Sequence, residues 1–164
     1  MEKEYQAYLE SAGKNKDAIK QWVNRVRKKK PRGFDEMVHQ ANDDAFAEID
    51  CLKCANCCNT TSPLLTNVDI DRLAKGLRLK PSQVVEQFTK IDEDDDLVMN
   101  QTPCPFLSDD NYCRVYDFRP IACRDYPHMR RKNMLGFLPL AQKNAPICPA
   151  VALIFLKMPD LRTT

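Results

Sequence analysis

Apolar residues recur at helical spacing along the N-terminal third of the chain. Tyr5, Tyr8, Leu9 and Ala12 share one stripe, which Gly13 ends. Ile19, Trp22, Val23 and Val26 repeat the pattern behind Asp17, and Pro31 and Gly33 stop it. Phe34, Val38, Ala41, Ala45 and Ile49 form a third stripe, which predicts a helix over 34–49 running straight into Cys51. Residues 59–63 read as a loop. Thr66 then reads as an N-cap, with Asp69 three residues on completing an approximate capping box. Ile70, Leu73, Ala74 and Leu77 supply the buried face of that helix. Pro81 opens the next one, because its missing N–H would be unpaired in a first turn anyway. Val84, Val85 and Phe88 face inward.

Beyond residue 90 the pattern shortens. The acidic run 92–96 reads as a solvated turn, since the alternating ligands, central glycine and distal glutamate of a calcium loop are absent. Leu97, Val98 and Met99 suggest a short strand, with Tyr112, Val115 and Tyr116 as its hairpin partner across the turn-forming residues 108–111. Residues 117–120 read as a capped helix start, placing Cys123 near the N-terminal end of a short helix that Pro127 limits. Met134 to Leu140 is apolar and is expected to be a strand or a buried loop. Cys148-Pro149 precedes a final helix over 150–157. The pattern predicts a mainly α fold with short β or irregular segments. It is read as a small cysteine-rich, metal-stapled domain over 34–164, preceded by an N-terminal helical extension over 1–33.

Charge changes this picture little. The net charge is +2, from 25 basic and 23 acidic residues in a chain of 164. The basic residues Lys20, Arg25, Arg27, Lys28, Lys29, Lys30 and Arg32 crowd one helix end, where cations are favourable with the helix dipole. Without aromatic interleaving or a nucleic-acid motif, a nucleic-acid partner is not expected. No apolar segment follows the charged start, and the longest apolar run, 150–156, falls well short of the roughly 20 residues that a bilayer requires. The expectation is a cytoplasmic protein with no membrane partner. In that compartment a cysteine cluster points to metal or catalysis, with four disulfides as the alternative.

The candidate chemistry lies in eight cysteines. Cys51, Cys54, Cys57 and Cys58 fall within eight residues; Cys104, Cys113, Cys123 and Cys148 follow. Thiolates are the ligands of soft metals, and the two-residue gap of Cys-x-x-Cys turns two sulfurs toward one ion. Cys51, Cys54 and Cys57 extend that spacing over three positions. With Cys148-Pro149 or Cys104-Pro105 as a remote ligand, they match the ligand spacing of a cubane iron–sulfur cluster. The Cys51–Cys54 pair equally suits four-cysteine zinc. Adjacent residues often point apart, so Cys57 and Cys58 are candidates for different centres. Eight cysteines allow two four-thiolate sites, or one such site with spare or catalytic thiols. Arg114, Arg119 and Arg124 are placed to offset thiolate charge or to pair with Asp117 and Asp125. His39 and His128 read first as ordinary helix or surface residues, and only second as ligands.

Four ordered blocks then carry a resemblance: Cys51-x-x-Cys54-x-x-Cys57-Cys58; Cys104-Pro105-Phe106-Leu107; Cys113-Arg114-Val115-Tyr116; and Arg119-Pro120-x-x-Cys123-Arg124-x-Tyr126-Pro127. With the helix segment Val68-Asp69-Ile70-x-Arg72-Leu73-Ala74, they resemble the bacterial CxxCxxCC family of zinc- or iron-chelating, YkgJ-type cysteine-cluster proteins over roughly residues 48–150. The resemblance implies a metal-chelating protein with all eight cysteines as ligands. An iron–sulfur cluster or iron is the favoured occupant and zinc the alternative. A distant relation, the flagellin lysine N-methylases, carries a similar cluster and implies a second possibility: a protein-modifying enzyme, or a component of one, using S-adenosylmethionine. A zinc-stapled module that binds a protein partner is the third. The Cys-x3-Cys-x2-Cys spacing usual in radical enzymes using that cofactor is not met, so radical chemistry is not assigned.

Overall fold

A computed structural model describes residues 1–158. Its helices are α1 (Lys3–Lys14), α2 (Lys16–Lys29), α3 (Phe34–Glu48), α4 (Cys51–Cys54), α5 (Asn56–Thr60), α6 (Asn67–Leu77), α7 (Pro81–Phe88), α8 (Ile121–Asp125), α9 (Met134–Asn144) and α10 (Pro149–Lys157). Two short strands, β1 (Thr89–Ile91) and β2 (Leu97–Met99), and a 3-10 turn at Tyr116–Phe118 complete it. The fold is mainly α with a small sheet, as the hydrophobic pattern predicts. The chain forms two compact units. The first comprises residues 1–54 together with the chain from Pro127 onward, and the second is Ala55–Tyr126.

In the first unit, α10 is the central element. Every residue from Pro149 to Phe155 is buried, and α1, α3 and α9 pack against it. Trp22 on α2 lies edge-on to Phe155, with ring centroids 5.9 Å apart, and meets Phe34 at 6.3 Å. The three N-terminal stripes bury the residues their spacing singles out: Tyr5 and Ala12, then Ile19, Trp22 and Val23, then Phe34, Val38 and Ala45.

Residues 134–140 correct the sequence expectation, because they are helix rather than strand or loop. The Asp35 carboxylate, in the first turn of α3, accepts the amides of Asn133 at 2.7 Å and Met134 at 2.8 Å. That caps the incoming α9, whose first N–H groups would otherwise go unpaired. Met134, Leu138 and Ala141 then recur at four- and three-residue steps on the buried face. Pro139 removes one intrahelical bond, and packing on both sides of it keeps the helix continuous.

The second unit closes over a core of Leu65, Ile70, Leu73, Ala74, Val84, Met99, Phe106 and Val115. Strand β2 exists where expected, but its partner is β1: Thr89 pairs with Met99 and Ile91 with Leu97. The acidic residues 92–96 are the solvated turn between them, with the Asp92 carboxylate accepting the amides of Asp94 and Asp96 at 3.0 Å. The segment expected to pair with β2 turns back on itself instead. Leu107 bridges Cys113, Ser108 N–H donates to Tyr112 O at 2.9 Å, and Arg114 N–H donates to Phe106 O at 2.8 Å. The turn chemistry of 108–111 is satisfied locally, leaving β2 to the strand before it. Two smaller corrections follow. Residues 59 and 60 are the end of α5 rather than loop, and residues 117 and 118 close a 3-10 turn ahead of α8 rather than opening it.

Thr66 and Asp69 form the full capping box of α6, each side chain paired with the other's backbone N–H. Asp69 is nevertheless 1% exposed, far too buried for a surface cap. Its Oδ2 accepts Thr66 N–H at 3.0 Å and the Thr66 hydroxyl at 2.7 Å. Its Oδ1 accepts Ile121 N–H at 2.9 Å and lies 3.4 Å from Arg72 Nη1. Arg72 Nη1 in turn reaches the Arg119 carbonyl at 3.4 Å. One carboxylate therefore ties the start of α6 to the start of α8.

Candidate metal centre

In the first unit, α1 and α3 position the leading cysteines. Tyr5 Oη accepts the Asp50 amide at 2.9 Å, fixing the chain as it leaves α3. Asp50 Oδ1 accepts Leu52 N–H at 2.9 Å, starting the single turn of α4. That turn sets Cys51 and Cys54 three residues apart, hence on one helix face. Cys51 is exposed and Cys54 half-buried; Cys54 Sγ stands 4.0 Å from Met1 Sδ. Cys148, at the N-cap of α10, is 8% exposed. Burial pushes its thiol up to about 12. The amides of Val151 and Ala150 bond its sulfur and oppose that rise, while the charges of Cys51 and Cys54 add to it. Pro149 has no N–H to offer, so the next two amides turn onto the sulfur.

The second unit gathers the other five. Cys57 and Cys58 do not point apart, since their sulfurs lie 4.0 Å from each other. The hydrogen bond with Cys57 brings the Cys58 thiol down to about 7 against the effect of burial, and the Arg119 charge helps. Cys104 N–H donates to Cys58 O at 2.8 Å, joining α5 to the Cys104 loop. Burial raises the Cys104 thiol; the amides of Phe106 and Leu107 bond its sulfur and counter this, while the charges of Cys58 and Cys113 reinforce it. Cys113 is raised by burial and by Cys58, and relieved by the Val115 amide, Arg119 and Arg114. Cys123 is pushed up to about 12 by burial and then by Cys58, Cys104 and Cys113, with Arg119 opposing.

The charges of Cys58, Cys104 and Cys113 thus bear on one another and on Cys123, and Arg119 is the cation that bears on three of the four. Arg119 is held by its Nε–H bond to Tyr116 O at 2.8 Å, and its guanidinium stacks 3.4 Å from the Tyr116 ring centroid. Four thiolates around a divalent ion carry a net double negative charge, which such a cation offsets. Among the described residues, no three His, Cys, Asp or Glu side chains stand close enough together to grip an ion at once. All eight cysteines are present as thiols. A set of soft sulfur donors with amides aimed at several of them fits zinc, iron or an iron–sulfur cluster.

The two histidines were not favoured as ligands by the sequence. His39 Nε2–H is spent on the Arg131 carbonyl at 3.1 Å, and His128 holds a left-handed backbone at φ 68°. The basic face of α2 surrounds a shallow depression of ≈ 430 Å³ lined by Gln21, Asn24, Arg25, Lys28 and Lys29, none of them a soft ligand. Sequence reasoning saw Asp69 only as a cap and missed its bond to the helix bearing Cys123. The signal was there in the Val68–Ala74 block, where Asp69 and Arg72 stand one turn apart.

No curated protein and no solved structure gives a match to this chain. A family model does match, over residues 50–149, and it is described as a "putative zinc- or iron-chelating domain". That span takes in every one of the eight cysteines and covers more than half of the chain. The chain belongs to the CxxCxxCC family.

Proposed function

We propose that this protein binds a thiolate-ligated iron–sulfur cluster or iron ion through its clustered cysteines, with zinc as the other occupant that the same sulfurs accept. The observation that carries this reading is that Ala55–Tyr126 folds as one compact unit containing Cys57, Cys58, Cys104, Cys113 and Cys123, with the Cys57 and Cys58 sulfurs 4.0 Å apart and the Cys104 amide on the Cys58 carbonyl at 2.8 Å. They come from α5, from the two sides of the hairpin after it and from α8, and each lies within the electrostatic reach of others in the set. Amides of Phe106, Leu107 and Val115 aim at two of the sulfurs, and Arg119 supplies opposing charge. These amides and the Arg119 charge favour the thiolate and so oppose the burial that raises Cys104 and Cys113, and the thiolate is the ligand. The bound centre would supply soft Lewis acidity or, as an iron–sulfur cluster, one-electron transfer. The chain's own residues would hold it, set its net charge through Arg119 and limit water through the apolar core beside Cys104 and Cys113.

The test is metal and acid-labile sulfide per chain on anaerobically purified protein. Iron with matching sulfide is the expected result, and zinc without sulfide would make the centre a structural staple. Absence of stoichiometric metal of any kind would overturn the reading.

A further inference from the structure

Two basic segments, far apart in sequence, share one corner of the first unit. One is the end of α2 and the turn after it, with Arg27, Lys28, Lys29, Lys30 and Arg32. The other is Arg130, Arg131 and Lys132, just ahead of α9. Asp35 joins them. It follows Arg32 closely in the chain, and its carboxylate accepts the amide of Asn133, the neighbour of Lys132, at 2.7 Å. His39 Nε2 bonds the Arg131 carbonyl at 3.1 Å and holds the second segment to α3.

Little negative charge answers these cations. On α3, Asp35 is spent on the start of α9, Asp43 pairs with Arg130 and Asp44 is bonded to Gln40, which leaves Glu36 at this end. Arg27, Lys28, Lys29, Lys30, Arg32 and Lys132 are exposed, and among the described residues none of the six makes an ion pair. Farther back on the same helix, Gln21, Asn24 and Arg25 line the shallow depression with Lys28 and Lys29. The apolar residues Ile19, Trp22 and Val23 are buried inward, and among the described residues no exposed large apolar side chain lies on α2 or within 130–132.

We propose that this corner docks on the phosphate backbone of a nucleic-acid duplex, without reading its sequence.

The occupant follows from the charge and from what the surface lacks. Ammonium, guanidinium and carboxamide groups all donate hydrogen bonds to phosphate oxygens, and such contacts hold a duplex while carrying no sequence information. A protein partner would need a desolvated core of aromatic or aliphatic anchors. A bilayer would need an apolar helix face to lay into it. A single strand would need exposed rings on which its bases stack. Lys, Arg, Gln and Asn satisfy the phosphate row and none of the other three. The missing aromatics that argue against base recognition in the sequence are no obstacle to backbone contact. The inference stands apart from the metal reading, since no cysteine takes part in it.

The test is fluorescence anisotropy of a labelled DNA duplex of about 20 base pairs with the full chain, in KCl stepped from about 50 to about 200 mM. Each phosphate neutralised steepens the fall of log affinity with log salt by about 0.9. K28Q/K29Q and R32Q/K132Q are each expected to flatten that slope by about two. K75Q/K90Q, on exposed lysines of the second unit, is expected to leave it unchanged. All six positions are exposed, so the fold is expected to survive, and circular dichroism checks it. A second duplex of different sequence is expected to bind equally well. No binding at the lowest salt overturns the proposal, and so does K75Q/K90Q flattening the slope as much as the other two. Poly-glutamate displacing the probe as readily as unlabelled duplex would assign the surface to an acidic protein. Tighter retention on phosphatidylserine vesicles would assign it to a membrane, and tighter binding of the single strand to unpaired nucleic acid. Each of those three results also overturns it.

Discussion

The amide of Ile121 donates to Asp69 Oδ1 at 2.9 Å across 52 residues of chain. The same carboxylate that caps α6 thereby holds the first residue of α8, two positions before Cys123. Substitution of Asp69 by alanine leaves the amides of Thr66 and Ile121 without their acceptor at a partly buried place. A loss of about 3 kcal/mol is expected in urea unfolding. D69N keeps the shape but presents an NH₂ where an acceptor is required, so it too is expected to cost about 2 kcal/mol.

The Asp69 bonds also set a pH dependence. Burial alone would raise the carboxyl, yet the Thr66 hydroxyl and amide, the Ile121 amide and Arg72 outweigh it and hold the value below the ordinary 3.8. A carboxylate lowered on folding adds stability above its unfolded value, and that stability is lost as the pH falls through the folded value. The stability gap between the native chain and D69N is therefore expected to be flat above about pH 5 and to shrink as the pH falls below the ordinary carboxylate value. Paired urea curves at stepped pH measure it. A gap that widens in acid would refute the assignment.

Arg119 predicts a charge effect on metal retention. R119A removes the cation that bears on Cys58, Cys113 and Cys123. Competition against a chelator is expected to show retention by that centre weakened about tenfold, equivalent to about 1.4 kcal/mol. R119K keeps the charge but loses the flat stack on Tyr116, and is expected to fall between the two.

Gly76 predicts a packing effect. A Cβ there would sit 2.4 Å from Phe118 Cγ and Cδ2 and 3.0 Å from Phe118 Cβ. Those atoms lie at the base of the ring, so relief requires moving the Tyr116–Phe118 turn and not merely rotating a side chain. Alanine gains about 1 kcal/mol of helix propensity, but overpacking costs about 1–3 kcal/mol. G76A is expected to be destabilised on balance, with its chemical-shift changes centred on the segment that carries Arg119.

In the first unit, F155A removes the ring that Trp22 meets edge-on. A loss of about 3–5 kcal/mol is expected, with the Trp22 fluorescence maximum shifting to the red as its site opens.

What the sequence made legible was the local part. The stripes of α1, α2 and α3, the Thr66–Asp69 box and Pro81 at the head of α7 each state their signal within one or two turns. What it hid was decided at long range. Met134–Leu140 is apolar with a proline inside, and it becomes helix because Asp35, nearly a hundred residues earlier, caps it. Strand β2 takes β1 as its partner because the 108–111 turn closes on its own flanks. The eight cysteines and the family they denote could be read directly from spacing. Which compact unit each one joins could not, because Cys54 and Cys57 are three residues apart and yet belong to different units.

The two units also differ in how the ribosome delivers them. Ala55–Tyr126 is one continuous stretch, so all five of its cysteines have been joined to the chain once Cys123 is made, and that unit can close without waiting for the residues after Tyr126. The first unit is discontinuous. Its helices α1 to α4 must wait for α9 and α10, and the unit that holds Cys51 and Cys54 gains Cys148 only once residue 148 has been translated. The exposed thiol of Cys51 is therefore made well before the unit that holds it can be completed.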